Sequence, residues 1–225
     1  MHGNNPIRKP KSGDGQYLDI QEIFATLQGE GIYVGMPAVF IRLGGCNLAC
    51  DFCDTEFESF TELSLNEVLT KVKELSLNQD GQFVRKLVVI TGGEPFRQNI
   101  APLCEQLISS GFKVQIETNG TLCRQLPAEV DIVCSPKNTG QGYAPIREDL
   151  LRNLSALKFI ISASDGKYKE VVEIGQSKYS IPVFVQPMDE EDVVKNKANT
   201  KLALELAIEN GYRLSLQTHK ILGIE

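Results

Sequence analysis

The stretch KLVVITGGEPFRQNIAPLCEQLISSGFKVQIET, residues 86–118, contains one complete unit of the pattern on which the fold prediction depends. It begins with the apolar run 86–91, continues through a segment of helical spacing at 100–111, and closes with a second apolar run at 113–118. The helical segment ends at Gly111, and glycine is the usual residue just after a helix C-terminus. A strand, a helix and a strand of these lengths form a βαβ unit, whose two strands are parallel.

The same alternation extends over most of the chain. Residues 63–75 and 200–211 have helical spacing, and Ser64 with Glu67 predicts a capping box at the start of the first helix. Further apolar or β-branched runs, typical of parallel strands covered on both faces, occupy residues 38–43, 130–135, 157–162, 181–186 and 212–217. We therefore predict an α/β fold with a mainly parallel sheet, either open and doubly wound or an incomplete (β/α) barrel. Both folds bind ligands at the carboxyl ends of the strands.

The sequence predicts two parts of the chain, an N-terminal tail and a single domain. Residues 1–16 are polar, rich in glycine and proline and without periodicity, so they are predicted to form a flexible N-terminal tail. Residues 17–225 show no boundary or internal repeat and are predicted to form a single domain, large enough to bury a substantial core.

Composition narrows the classes of function. A net charge of −6 argues against a nucleic-acid groove, because phosphate binding needs clustered lysine and arginine. The chain shows neither an apolar run of membrane-spanning length nor a signal peptide, so we expect a cytoplasmic protein. In a reducing cytosol its six cysteines are expected to be thiols, metal ligands or catalytic groups rather than disulfides.

Three cysteines stand together in CNLACDFC (46–53), directly after the apolar run 38–43 and Gly44-Gly45. A structural zinc ion would need a fourth ligand, and CxxC redox chemistry would use only the last two cysteines of the three. An iron–sulfur cluster fits better, because thiolates are its usual protein ligands. The three candidate cluster ligands are Cys46, Cys50 and Cys53. The other three cysteines, Cys104, Cys123 and Cys134, are assigned to packing.

The CxxxCxxC spacing resembles the signature of the radical S-adenosyl-L-methionine (SAM) enzymes. In these, three cysteines hold a [4Fe-4S] cluster and the methionine moiety of SAM completes the coordination. Four motifs that resemble those of the superfamily follow at the ends of predicted strands. ITGGEP (90–95), ETNG (117–120) and SPK (135–137) end three successive strands, and QPMD (186–189) ends a later one. The resemblance implies an incomplete (β/α) barrel of the radical SAM type. It also implies a SAM site made of Phe52, Cys53, Asp54, Gly93, Glu117, Ser135, Pro136, Lys137, Gln186, Pro187, Met188 and Asp189.

Three further stretches are more specific: FATLQGEG (24–31), GMPAVFIRLGGCNLACDFCDTEF (35–57) and QTHKILGIE (217–225). With SPK they resemble the 7-carboxy-7-deazaguanine synthase family of the queuosine pathway of tRNA modification, across residues 17–225. The resemblance implies a lyase that contracts the ring of 6-carboxy-5,6,7,8-tetrahydropterin to 7-carboxy-7-deazaguanine with loss of ammonia. The hydrogen is taken by a 5′-deoxyadenosyl radical, so no side chain is assigned as the catalytic group.

The same resemblance implies roles for individual residues and partners. Mg²⁺ is expected on Thr55 and the substrate carboxylate, and the substrate on Leu27, Gln28, Gly29, Arg42, Thr91, His219 and Glu225. The planar guanidinium of an arginine suits a carboxylate or a pterin edge. For His219, packing and substrate contact are equally supported. A flavodoxin or ferredoxin as electron donor and a homodimer are also implied.

Two alternatives remain open at this point. A glycyl-radical activating enzyme has the same cysteine spacing, but TLQGEG and the QTHK ending argue against it. A non-enzymatic metal or iron–sulfur module would not need ITGGEP, ETNG and SPK at the ends of successive strands.

Overall fold

The computed structural model describes residues 5–224. Within this range nine strands form one sheet: β1 (Tyr17–Leu27), β2 (Pro37–Leu43), β3 (Thr61–Ser64), β4 (Leu87–Gly92), β5 (Lys113–Thr118), β6 (Asp131–Cys134), β7 (Leu154–Ile161), β8 (Val183–Pro187) and β9 (Arg213–Leu214). The α-helices are α1 (Leu65–Ser76), α2 (Ala101–Ser109), α3 (Glu148–Leu151), α4 (Gln176–Tyr179), α5 (Val193–Asn210) and α6 (Thr218–Leu222).

The sheet is open and mainly parallel. Its strand order is β3-β1-β2-β4-β5-β6-β7-β8-β9, and all neighbours from β2 to β9 run parallel. Strand β1 is antiparallel to both β2 and β3, which adds a mixed edge. The first and last strands in this order do not pair with each other, so the barrel is incomplete, as predicted. Parallel strands bring all their carboxyl ends to one rim of the sheet.

The helix signals in the sequence are confirmed. Ser64 accepts the Glu67 amide while the Glu67 carboxylate accepts the Ser64 amide, which completes the capping box of α1. Helix α5 ends at Gly211 as predicted, but it begins before residue 200 because the Asp192 side chain caps its first turn. Among residues 5–224, no helix is long and apolar enough to cross a membrane.

The two faces of the sheet differ in polarity. The main core lies on one face, where Val39 and Ile41 of β2 pack with apolar residues of α1, α2 and α5. On the other face, Arg42, Glu117 and Lys158 line a cavity. The second face also carries two smaller apolar clusters, one around Val89 and one around Val133. The prediction of strands covered by apolar groups on both faces therefore holds, and the cavity interrupts the apolar cover of the second face.

The N-terminal segment is packed against the domain. The Arg8 amide donates to the Cys46 carbonyl at 2.7 Å, and the Lys11 amide donates to the Arg97 carbonyl at 2.7 Å. The Lys11 ammonium pairs with Asp19 at 2.6 Å. Part of the segment predicted as a flexible tail over 1–16 therefore makes defined contacts with the domain; residues 1–4 lie outside the described range. Composition alone does not show that these amides and cations have acceptors far away in the sequence.

Candidate active site

The carboxyl ends of the parallel strands surround a cavity of about 670 Å³, a size typical of small-molecule sites. The loops after β2, β4, β5, β6 and β8 all reach it. The cysteine loop (residues 44–57) and the motifs ITGGEP, ETNG, SPK and QPMD therefore share one rim, as the sequence predicted.

Almost all the residues predicted for the site line this cavity. They are Leu27, Gln28, Gly29, Arg42, Cys46, Cys50, Phe52, Cys53, Asp54, Thr55, Thr91, Gly93, Glu117, Ser135, Lys137, Gln186, Pro187, Met188, Asp189 and His219. Pro136 is buried and does not line the cavity, and Glu225 lies outside the described residues.

The cysteine loop holds its three thiols at the cavity wall. Cys46 is buried, with its sulfur near the Leu48 amide at 3.4 Å, and the Cys53 amide donates to the Cys50 carbonyl at 3.1 Å. Burial raises the pKa of the Cys46 thiol to about 12 and also raises the pKa values of Cys50 and Cys53. The thiols are therefore protonated at neutral pH in the free protein, and each loses its proton when it binds a metal.

The donor set fits an iron–sulfur cluster. All six cysteines are free, while Cys104 and Cys134 are buried in the main core and Cys123 packs against it, as assigned from the sequence. Within residues 5–224, no three His, Cys, Asp or Glu side chains converge on one point as a mononuclear zinc site requires. A cluster binds each cysteine to a different iron atom, so its thiolates do not need to converge.

Two glycines allow the ITGGEP turn to pack on the cysteine loop. A Cβ on Gly93 would lie 2.0 Å from the Gly45 carbonyl oxygen, and one on Gly92 would lie 2.2 Å from the Leu43 carbonyl oxygen. The Gly93 amide donates to Leu43, and the Glu94 amide donates to Gly45. The glycines thus permit close contact between two backbones, in addition to any approach of a ligand.

Glu94 connects this turn to the ETNG motif and was not predicted as a site residue. Its carboxylate is fully buried and accepts the Phe96 amide at 3.0 Å, the Thr118 hydroxyl at 2.7 Å and the Asn119 amide at 2.8 Å. Burial raises the pKa of Glu94 even though these neutral donors favour its charged form. The sequence signal that could have identified Glu94 is its position as an acidic residue directly after the two glycines at the end of a strand.

A buried ion triad, also missed by sequence reasoning, lies on the opposite wall. The Lys158 ammonium pairs with Glu30 and, at 3.2 Å, with Glu117. Gln28 donates to Glu117 at 3.0 Å, and Gln217 donates to Glu30 at 3.0 Å. Burial alone would disfavour both charges, but the pairing outweighs it, so the pKa of Lys158 is raised and that of Glu30 is lowered. The sequence signal that could have identified this triad is Lys158, a lysine inside the apolar run 157–162.

Lys137 of the SPK motif is a half-buried cation with a different environment. Its ammonium donates to the Ser135 carbonyl at 2.7 Å and to the Ser135 hydroxyl at 2.6 Å. Among residues 5–224 it forms no salt bridge with a carboxylate, and burial lowers its pKa. A partly desolvated ammonium that faces a cavity without a carboxylate partner is suited to an anionic ligand.

Thr55, near the end of the cysteine loop, was predicted to bind the metal, and Arg42 was predicted to bind the substrate. The Arg42 guanidinium donates to Glu22 at 2.5 Å and reaches the Thr55 hydroxyl at 3.5 Å. Asp54 pairs with Lys220 at 3.0 Å, and the same ammonium contacts Asp189 at 2.9 Å. Burial acts to raise the pKa of Asp54, but Lys220 outweighs burial and the pKa is lowered.

The C-terminal segment closes one end of the cavity. Thr218 donates to the Gly29 carbonyl through its amide at 3.1 Å and through its hydroxyl at 3.0 Å. A Cβ on Gly29 would lie 2.2 Å from the His219 imidazole Nδ1, so this position of TLQGEG needs a glycine. His219 therefore both packs on this loop and lines the cavity.

An incomplete parallel barrel with three thiols on the loop after a rim strand defines a class, the radical SAM enzymes. The sequence profile of the Radical SAM superfamily matches residues 40–135, which span the cysteine loop, ITGGEP, ETNG and Ser135 of SPK.

Comparison with known proteins narrows the class. The chain is 60% identical to 7-carboxy-7-deazaguanine synthase from Rickettsia prowazekii (strain Madrid E) over 225 residues, which cover 100% of this chain and 96% of the relative. It is 39% identical to 7-carboxy-7-deazaguanine synthase from Rhodospirillum rubrum, with 100% of both chains covered. The crystal structure of QueE from Escherichia coli is similar, with a TM-score of 0.69, 26% identity and coverage of 89% of this chain and 93% of that one.

The chain belongs to the 7-carboxy-7-deazaguanine synthase family. The resemblance seen in the sequence is confirmed, and the glycyl-radical activating enzyme is not supported. The similarity to the Rickettsia relative also includes the first sixteen residues, which the sequence analysis placed outside the resemblance.

Proposed function

We propose that this protein converts 6-carboxy-5,6,7,8-tetrahydropterin to 7-carboxy-7-deazaguanine with loss of ammonia. The observation that carries the proposal is the convergence, in one cavity, of the cysteine triplet with Gln28 and Arg42. The thiols suit a radical-generating cofactor, and the amide and guanidinium suit a polar heterocycle with a carboxylate.

In this proposal Cys46, Cys50 and Cys53 would hold a [4Fe-4S] cluster, and the motifs at the same rim would hold SAM. When bound, the two together supply the 5′-deoxyadenosyl radical that takes a hydrogen atom from the substrate. The half-buried Lys137 ammonium would bind the SAM carboxylate, since it has no carboxylate partner in residues 5–224. The backbone at Gly93 would approach the cofactor, while Pro136, buried behind the rim, would support Lys137.

Substrate recognition is assigned to the TLQGEG side of the cavity. Gln28 is buried and fixed at both ends, because its amide nitrogen donates to Glu117 and its oxygen accepts the Glu30 amide at 3.1 Å. A fixed side chain loses little entropy on binding, which favours a rigid bicyclic ligand. Arg42, Thr91 and His219 would complete the pocket around the substrate carboxylate and ring.

Mg²⁺ is proposed on Thr55 together with the substrate carboxylate. Asp54 is the more usual oxygen ligand, but its carboxylate is occupied by Lys220 at 3.0 Å. The Thr55 hydroxyl lies 3.5 Å from Arg42, where the substrate carboxylate would bind. A site with one protein hydroxyl would bind the cation weakly until the substrate supplies its own oxygens.

Three further properties are proposed on the resemblance. The electron donor would be a flavodoxin or ferredoxin, and the assembly would be a homodimer. The six free thiols agree with a reducing compartment such as the cytosol.

The test is anaerobic reconstitution followed by reaction with SAM and the carboxytetrahydropterin, with mass detection of the deazaguanine product. Wild type and Cys134→Ala are expected to bind about four iron atoms per chain, as one [4Fe-4S] cluster requires. Cys46→Ala is expected to lose the cluster. Both cysteines are buried, so they form a matched pair that differs only in membership of the triplet. Retention of the cluster by Cys46→Ala, or no product from loaded wild type, would refute the proposal.

A further inference from the structure

The N-terminal strap, residues 5–11, runs alongside the cysteine loop. Ile7 forms a parallel bridge with Cys46, and the Arg8 amide donates to the Cys46 carbonyl at 2.7 Å. Cys46 is the first of the three proposed cluster ligands. Its backbone is therefore held by a segment that lies about forty residues earlier in the sequence.

The strap also contacts the other end of the ligand-bearing segment. The Asn5 side-chain amide donates to the Thr55 carbonyl at 3.0 Å, and Asn5 lines the cavity. The residues between Cys46 and Thr55 thus receive contacts from the strap at both ends.

Further contacts fix the strap to the domain. The Arg8 guanidinium pairs with Glu58 at 2.5 Å and lies 5.3 Å from the centre of the Phe60 ring. The Lys11 ammonium pairs with Asp19 at 2.6 Å and with Glu62 at 2.8 Å. These anchors adjoin the contacts to the cysteine loop and hold the strap in a defined position beside it.

The loop itself has little regular structure to hold its ligands. No helix or strand occurs between Leu43 and Thr61, and within that interval the three cysteines sit on turns and extended chain. Groups around a metal site orient its ligands. The strap supplies contacts of this kind to the backbone of the loop.

We propose that the N-terminal strap is a positioning element of the cluster site, with the Arg8 amide fixing Cys46 and the Asn5 side chain fixing the Cys53–Thr55 end of the loop. This inference rests on the proposed cluster ligands. It adds Asn5 and the Arg8 backbone to the residues on which that cluster depends.

The first test compares Arg8→Pro with Arg8→Ala in reconstituted enzyme. Both lose the guanidinium, but only proline removes the amide hydrogen that bonds to Cys46. Iron release to a chelator is expected to be about two- to tenfold faster in Arg8→Pro than in Arg8→Ala, the effect of losing one hydrogen bond. Hydrogen exchange of residues 46–55, measured on the cluster-free protein, is expected to accelerate in the same variant. Equal iron release in the two variants, or unchanged exchange, would overturn the assignment of the Arg8 amide.

The second test compares Asn5→Ala with Asn210→Ala. Each loses a side-chain amide that donates to a backbone carbonyl at 3.0 Å, but Asn210 bonds to Leu206 at the far end of α5. Asn5→Ala is expected to accelerate hydrogen exchange of residues 53–55 in the cluster-free protein and iron release from the reconstituted enzyme, because the bond to the Thr55 carbonyl is lost. Asn210→Ala is expected to match wild type. The assignment of Asn5 is overturned if its variant exchanges and releases iron at wild-type rates.

Iron uptake by the wild-type protein distinguishes a failure of the proposed cluster site from a failure of the proposed strap. Wild type that takes up no iron would refute the proposed cluster site. Wild type that takes up iron, with all strap variants behaving alike, would refute the strap alone.

Discussion

Two regions at the rim bury a glutamate in opposite ways. On the cysteine side, Glu94 is 0% exposed and is held by two backbone amides and the Thr118 hydroxyl, all neutral donors. On the substrate side, the buried Glu30 carboxylate pairs with the Lys158 ammonium. The pKa of Glu94 is raised and that of Glu30 is lowered. Burial disfavours the charged form of both glutamates. The difference between their pKa shifts therefore comes from the Lys158 ammonium, which pairs with Glu30.

The comparison shows what each region is built to do. Glu94 links two rim loops through groups that belong to the backbone or are themselves buried, which makes it a cross-link between ITGGEP and ETNG. Glu30 belongs to a charged triad that fixes Gln28 and Gln217 at the cavity wall. The first arrangement places a loop, whereas the second places the groups that a ligand meets.

The two glutamates are expected to make stability depend on pH with opposite signs. The lowered pKa of Glu30 contributes stability that is present above the unfolded value near 4.5 and is lost as pH falls through the folded pKa. The raised pKa of Glu94 contributes stability that is present below 4.5 and is lost as pH rises through the folded pKa.

The largest effect is expected from Lys158→Met, which removes the cation and leaves Glu30 and Glu117 unpaired. Loss of one partner from a buried ion pair costs about 3–5 kcal/mol, and this should appear as a lower free energy of unfolding in urea at pH 7. The deficit should shrink as pH falls below 4.5, because neutral carboxyl groups no longer need the ammonium.

Lys178→Met is the matched control for that variant. Lys178 also pairs with a glutamate, Glu148, at 3.0 Å, but its side chain is 65% exposed. A surface pair of this kind contributes little to stability, because water and salt screen both charges. If the two variants lost the same stability, burial would not be the basis of the contrast.

Glu94→Gln is expected to cause the second-largest loss of unfolding free energy. The oxygen of the glutamine side chain can replace only one of the two carboxylate oxygens. The NH2 group in the place of the other oxygen cannot accept a hydrogen bond from the backbone or hydroxyl donor that it faces, which costs about 1–3 kcal/mol. The deficit relative to wild type should narrow as pH rises from 4.5 to 7, because only wild type loses stability when Glu94 ionises. Urea unfolding across this range measures it.

Glu67→Gln supplies the control for Glu94→Gln. Glutamine also serves at this position of a capping box, and the site is exposed, so stability should stay close to that of wild type. A deficit of Glu94→Gln that widens with pH would contradict the direction assigned to its pKa.

Thr55→Ala tests the metal assignment on the substrate side, with an effect on ligand coupling rather than on folding. Substrate should bind more tightly with Mg²⁺ than without it, and by linkage the substrate should tighten Mg²⁺ by the same factor, within about 5–150-fold. Calorimetry should show that Thr55→Ala lowers this factor and that Asp54→Asn keeps most of it. The opposite pattern would make Asp54 the ligand.

The smallest effect is expected from Lys220→Ala. Its pairs with Asp54 and Asp189 are partly exposed, so the loss of unfolding free energy should stay below about 1 kcal/mol. The pKa of Asp54 should rise in an NMR titration, since Lys220 is the main group that lowers it. An unchanged pKa would show that the pair does not persist in solution.

The predictions that succeeded depended on near neighbours in the chain or on an edge shared by all strands. The capping box of Ser64 and Glu67 spans three residues, and the three cysteines lie within eight. The rim position of SPK and QPMD followed from parallel strands, whose carboxyl ends coincide. The missed features join distant segments: Lys158 meets Glu30 across 128 positions, and Thr55 meets Asn5 across 50.

The sequence by itself determined the parallel α/β architecture and the family, because periodicity and local motifs are carried by the order of residues. Only the tertiary structure decided that Lys158 is paired, that Glu94 is held by neutral donors and that the strap lies against Cys46. The free energy of a buried charge depends on the groups that surround it in space. A polar segment such as residues 5–16 is ordered only if the folded domain offers it partners, and composition does not contain that information.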